Sequence, residues 1–181
     1  MGSLFSSGTN STDQQQPSKF KFKSDLNDQQ IKAIRSSWGK VLPNKEEHGK
    51  LLFYKVFEMA PHLKDLFPFG SDLTQPQFTE HALRVMNTID LAVKNLDNPD
   101  VLVPALEELG RVHAMFQLTN REFEYVGQAL LSVLEEGLGE AFTPALKAAW
   151  TDLYAIITDI MVTAITDYNA DKKDNKTNKE Y

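Results

Sequence analysis

Residues 102–118, LVPALEELGRVHAMFQL, set a histidine into a helical stripe. Leu102, Leu106, Leu109, His113 and Phe116 follow one another at spacings of four, three, four and three. That pattern is one face of an α-helix. A second stretch, FTEHALRVMNTI from Phe78 to Ile89, repeats the arrangement with Phe78, His81, Val85 and Ile89. Each imidazole therefore leaves an apolar face and points inward. A buried imidazole needs a partner for its nitrogens.

Working outward, the same three- and four-residue rhythm fills residues 25–168, and no stretch alternates like a strand for long. Ser24 opens the first helix, with Ile31, Ile34 and Trp38 inward. Pro43 breaks it, and Asn44 with Glu47 reads as the next cap. Pro61 suits the first turn of a short helix. PFGSDLTQP, residues 68–76, is a loop by composition. Gln77 to Asn95 is helical, and Asn98-Pro99 begins the next turn. Thr119 with Glu122 is a capping box, and Thr143-Pro144 is a cap followed by proline at the first helical position. The reading is all-α, with about seven helices.

The flanks differ. Residues 1–24 are rich in Ser, Gln, Gly and Thr and bury no core. Residues 169–181 read as a disordered polar tail. The chain has 181 residues, no cysteine and a net charge of −6. Disulfides, thiolate metal sites, iron–sulfur clusters and cysteine nucleophiles are thereby excluded. The acidic balance speaks against an extended nucleic-acid surface. Neither a run of about 18 apolar residues nor a signal-peptide core is found.

One partner that satisfies both inward histidines is a metal held between their helices. Bare zinc needs four ligands, and no cysteine or carboxylate joins the two stripes. Apolar neighbours suit a large flat ring instead, and haem fits that description. Arg84, three residues after His81, can reach a propionate at the pocket edge. Either histidine alone is more often a hydrogen-bonded core residue than a ligand; the pair is the stronger signal. Met86 and Met115 point away from their neighbouring histidines. His48 and His62 read as surface or packing residues.

These residues resemble the globin family. LNDQQIKAIRSSW, residues 26–38, resembles the first globin helix. Pro61 followed six residues later by Phe67 resembles the short third helix and its haem-stacking phenylalanine. FTEHALRV resembles the distal motif, which implies the distal role for His81 and pocket positions for Arg84 and Val85. ELGRVHAMFQL resembles the proximal motif, with His113 as the iron ligand and Leu109 on the pocket wall. Leu118, Phe123 and Val126 match pocket-lining sites after it. EAFTPALKAAWTDLYAII, with Trp150 and Tyr154, resembles the last helix of neuroglobins, which implies a place for Tyr154 among the haem-binding residues. HALRVMNTIDLAVKNLDNPD is similar to cytoglobins. The resemblance implies a globin fold, haem b, and a fourth helix that is short or absent. It implies His113 as fifth ligand. His81 then either donates a hydrogen bond to bound dioxygen or is itself the sixth ligand, and the resemblance favours the second. The family's redox-active cysteines have no counterpart here.

The function so implied is reversible binding of dioxygen, carbon monoxide or nitric oxide. The alternatives are redox signalling with an electron donor, or nitric-oxide dioxygenation and nitrite reduction. At the N-terminus, Met1 to Ser6 fits the N-myristoylation pattern, with Gly2 the acceptor. A single acyl chain binds membranes weakly, and KFKFK at residues 19–23 offers a second signal through lysines and interfacial phenylalanines. The expected location is intracellular, in the cytoplasm or on the cytoplasmic face of a membrane through Gly2.

Overall fold

Asn27 opens the first helix. Its Oδ1 accepts from the backbone N–H groups of Gln29 and Gln30, both at 3.0 Å. Gln30 Oε1 accepts from the Asn27 N–H at 2.9 Å, which closes a capping box. The expectation that Ser24 caps this helix is thus corrected, because a cap must sit next to the orphan N–H groups it serves. The computed structural model describes residues 26–177. Ser24, Gly2 and the KFKFK segment lie outside the described residues.

Among the described residues there are six α-helices: α1 Asp28–Val41, α2 Lys45–Met59, α3 Pro76–Lys94, α4 Pro99–His113, α5 Asn120–Leu138 and α6 Pro144–Thr177. Short 3-10 segments fill Leu42–Asn44, Pro61–Leu66, Ala114–Phe116 and Gly139–Ala141. No strand occurs among the described residues. The all-α expectation holds, with six α-helices rather than seven because the Pro61 segment winds as a 3-10 turn. Residues 67–75 hold turns and no fourth helix. Asp72 organises them, accepting from the Thr74 backbone at 3.1 Å and from Gln75 Nε2 at 2.6 Å.

Thr119 and Glu122 form the expected capping box, and Thr143 Oγ1 accepts from Leu146 N–H at 3.3 Å. Asn44 makes no side-chain cap. The preceding 3-10 turn already leads the chain into α2. The last helix does not end at Tyr168 but runs to Thr177. Its polar end includes Lys172, whose ammonium lies 4.7 Å over the Tyr168 ring. Over Pro144–Lys173, α6 is long and apolar enough to cross a membrane. Yet Ala149, Trp150, Leu153, Ile157, Ile160 and Ile165 form one buried stripe, the behaviour of a core helix.

The base of the core is tied by polar groups. Trp38 and Trp150 meet at 5.7 Å between ring centroids. Trp150 Nε1 donates to Ser37 Oγ at 3.0 Å, and Trp38 Nε1 donates to Asp90 Oδ1 at 2.9 Å. These bonds join α1, α6 and α3. Arg35 adds a clamp: its Nε and Nη2 donate to the Val93 and Lys94 carbonyls, each at 3.2 Å, while Asp97 holds its other side at 2.7 Å. A cation thus closes the negative end of α3.

Burial alone would raise the Asp90 pKa, but hydrogen bonds from Lys94 and Trp38 outweigh it and hold the carboxyl below its ordinary value. A lowered carboxylate contributes stability above its unfolded pKa and loses it as pH falls through the folded one. Asp90→Asn keeps an acceptor for Trp38 but drops the charge. Urea midpoints between about pH 7 and pH 3 are expected to fall less steeply for the variant. Parallel curves would refute the assignment.

Candidate functional site

His113 is the last residue of α4. Its Nδ1 lies 2.8 Å from the Leu109 carbonyl one turn back. A carbonyl only accepts, so Nδ1 must carry the proton and donate it. Nε2 is left with its lone pair, the form in which imidazole binds a metal. After His113 the chain tightens through Ala114–Phe116 and turns at Gln117, a left-handed residue with φ 54°. That turn delivers Leu118 and the Thr119 cap of α5. Phe116 and Phe123 stand 6.4 Å and 6.5 Å from the His113 ring.

His81 sits on α3 among aromatic edges. Phe67 approaches it at 4.9 Å and Phe53 at 5.1 Å, both edge-on. Burial pushes its pKa down to about 4, helped by the Arg84 guanidinium and by His113. The imidazole is therefore neutral near pH 7, and the two histidines lie within electrostatic reach of each other. Arg84 is exposed. Phe67 also packs on Phe69 at 4.9 Å in a stacked arrangement and on Phe57 at 5.7 Å.

Val85, Leu109, Leu118 and Val126 are half-buried and pack against the core. Tyr154 is half-buried as well, and its hydroxyl donates to the Phe123 carbonyl at 2.8 Å. Its ring rests against Gly127. Tyr154 therefore binds α6 to α5 and fixes the backbone that carries Phe123. Met86 is fully buried away from the site and Met115 is 71% exposed, as their helical angles require. His48 bonds the Val41 carbonyl at 3.1 Å, and His62 faces Tyr125 at 6.5 Å, so both serve packing.

Phe53 and Phe57 escaped the sequence reading. They belong to the buried face Gly49, Leu52, Phe53, Val56 and Phe57 of α2. The three- and four-residue spacing of that face was the available signal.

Two close helix crossings position the histidines. A Cβ on Gly49 would lie 3.0 Å from the Ala82 carbonyl oxygen, next to His81. A Cβ on Gly110 would lie 2.5 Å from the Met161 carbonyl oxygen, three residues before His113. Bare glycines let α2 press on α3 and α4 press on α6.

The His113 nitrogen left with its lone pair lies within electrostatic reach of the neutral His81 imidazole, with aromatic and aliphatic side chains around them. That set fits a flat apolar ring with an axial metal better than it fits a hydrolytic centre. Among the described residues no group of three or more His, Cys, Asp or Glu is placed to hold a metal ion unaided.

Comparison with known proteins agrees. The family model Globin matches residues 50–161. The chain is 36% identical to neuroglobin of Dissostichus mawsoni over 156 residues, 82% of this chain and 98% of that protein. It is 38% identical to neuroglobin of Danio rerio over 135 residues, 71% of this chain and 85% of that one. Among solved structures, a hexacoordinated heme protein from an anhydrobiotic tardigrade superposes with a TM-score of 0.72 at 26% identity, covering 78% of this chain and 96% of that one. Hemoglobin of the botfly Gasterophilus intestinalis superposes at 0.68 with 16% identity, covering 78% and 99% of the two chains, a likeness of fold.

Proposed function

The chain belongs to the globin family and is a haem-binding member of it, and from that premise we propose that His113 is the axial ligand and His81 the sixth. The single observation that carries this reading is the His113 Nδ1–H bond to the Leu109 carbonyl, which presents a lone pair on Nε2. The cofactor proposed is haem b, because a chain without cysteine has no thiol to attach a porphyrin covalently. Phe67, Val85, Leu109, Leu118, Phe123 and Val126 are proposed as its walls. Arg84 is proposed as a propionate partner, and Tyr154 as a residue that positions Phe123.

When bound, haem supplies an iron that takes a diatomic gas, dioxygen first among them, and exchanges single electrons. The chain's residues do the rest. The Leu109 carbonyl fixes the tautomer and plane of His113. Phe67 and Phe53 hold His81 edge-on and exclude water. Val85 limits the space beside His81. A ligand entering the site finds it available only in the fraction of molecules whose His81 has swung away, so apparent affinity falls by that fraction. In that displaced state the imidazole of His81, presenting whichever ring nitrogen carries its proton, would donate a hydrogen bond to the guest.

An anaerobic, dithionite-reduced absorption spectrum tests the sixth ligand. Sharp, split visible bands are expected in the parent and a single broad band in His81→Leu. Broad bands in both would sink the six-coordinate reading and leave His81 acting on bound ligand. Split bands would also favour electron exchange over oxygen storage.

We further propose acylation at Gly2 and attachment to the cytoplasmic face of a membrane. Support comes from the sequence Met1 to Ser6 alone. Incubation with an N-myristoyltransferase and myristoyl-CoA is expected to add one acyl mass to Gly2-exposed protein; an unchanged mass would refute it.

A further inference from the structure

A groove of about 760 Å³ opens between the start of α1 and the turn joining α3 to α4. Its apolar lining includes Leu26, Ile31, Leu96 and Pro99, and its polar lining includes Asp28 and Asp97. Leu96 is 3% exposed and forms the floor. This volume is that of a small-ligand pocket, yet among the described residues no metal-binding cluster faces it, and its titratable groups are the two rim carboxylates. Nothing in the haem-site reading uses it.

The groove lies where the N-terminal extension joins the domain. Leu26, one of its walls, is the first described residue, and 25 residues precede it. Those residues end in KFKFKSD, with Phe20 and Phe22 alternating with Lys19, Lys21 and Lys23. Phe22 precedes Leu26 by four residues and Phe20 by six, a reach of about 13–20 Å. Both rings can therefore come back over Ile31 and Leu96. The rim carboxylate open to the lysines is Asp28, since Asp97 is already paired with Arg35, and the domain carries the chain's negative charge. A tether this short also makes the encounter intramolecular, at an effective concentration of order millimolar.

We propose that residues 19–23 dock into this groove, with Phe20 and Phe22 on its apolar floor and their lysines at its acidic rim. Rings held there are withheld from a lipid surface, so docking and membrane insertion of this segment exclude each other. The proposal is independent of what the two histidines bind.

Tryptic cleavage after Lys19, Lys21 and Lys23, followed by mass spectrometry on the full chain, reads the docking. Cleavage of a docked segment tracks the undocked population, and the parent is expected to be cut about tenfold more slowly than Ile31→Glu. Asp28→Lys, which reverses one rim charge at an exposed position, is expected to fall between them. Circular dichroism checks that both variants keep their helices. The absence of cysteine allows a second reading. A nitroxide on S18C is expected to broaden the amide signals of Leu96 and Val101, and F20S/F22S is expected to abolish that broadening. Binding to phosphatidylserine vesicles is expected to be stronger for Ile31→Glu than for the parent. Equal cleavage of parent and variants, or broadening unchanged by F20S/F22S, would overturn the proposal. Equal vesicle binding alongside equal cleavage would give the segment to lipid instead.

Discussion

Gly110→Val is expected to cost about 3 kcal/mol of stability and to loosen haem. The Cβ alone would lie 2.5 Å from the Met161 carbonyl oxygen and 2.8 Å from the Ala164 Cβ. A backbone carbonyl cannot rotate away as a side-chain end can, so α4 or α6 must move. Valine adds two methyl groups to that collision. Better helix propensity than glycine returns less than about 1 kcal/mol. The melting temperature is then expected to fall by roughly 6–12 °C for a domain of this size. His113 lies three residues further along the same helix, so its shift should appear as faster haem loss to an apo-protein acceptor. Gly39→Ala is the control. Nothing lies within 4 Å of the Cβ it adds on α1, so it should be neutral or mildly stabilising. A Gly110→Val protein that melts with the parent and keeps haem as long would disprove the close-crossing argument.

Trp150→Ala is expected to cost about 4 kcal/mol, the range for truncating a large aromatic in a packed core. Trp150 is fully buried, packs on Trp38, and bonds Ser37 through Nε1. Ser37 Oγ in turn donates to the Ile34 carbonyl at 2.8 Å. Truncation therefore opens a cavity and removes the one donor reaching that buried oxygen from α6. Trp150→Phe separates the two effects, leaving most of the volume and losing the bond, at about 1–2 kcal/mol. A double-mutant cycle with Trp38→Phe is expected to show coupling above about 0.5 kcal/mol, since the rings touch. Urea unfolding checks all of these. A loss below about 1.5 kcal/mol for Trp150→Ala would mean that the site collapses around the gap.

The parts of this fold legible in the sequence are those written in local chemistry. Thr119 with Glu122 and Thr143 with Pro144 mark helix starts through bonds three residues long, and a one-dimensional reading finds them. The two histidine stripes are equally local, because helical period alone turns His81 and His113 inward. Choices between nearby candidates were harder. Ser24 and Asn27 are both good caps, and only the realised start of α1 selects Asn27. Asn44 and Glu47 have the right spacing, but the 3-10 turn before them makes the cap unnecessary. Residues 169–177 read as a tail by composition, since a polar helical extension has no apolar stripe to announce it. Phe53 reaches His81 from α2, and no spacing within α2 says which helix its face will meet. The glycine crossings are invisible for the same reason: a close approach belongs to two helices at once.

The Arg35 clamp bears on where this domain can be cut. The family match begins at residue 50, which leaves α1 outside it. Yet the carbonyls at the end of α3 are closed by a guanidinium about sixty positions upstream, and Trp38 and Ser37 come from the same helix. A chain trimmed to the matched span would keep both histidines and lose the lock that finishes the helix bearing one of them. A folding unit that keeps this lock therefore begins at Asn27, ahead of the span that the family model matches.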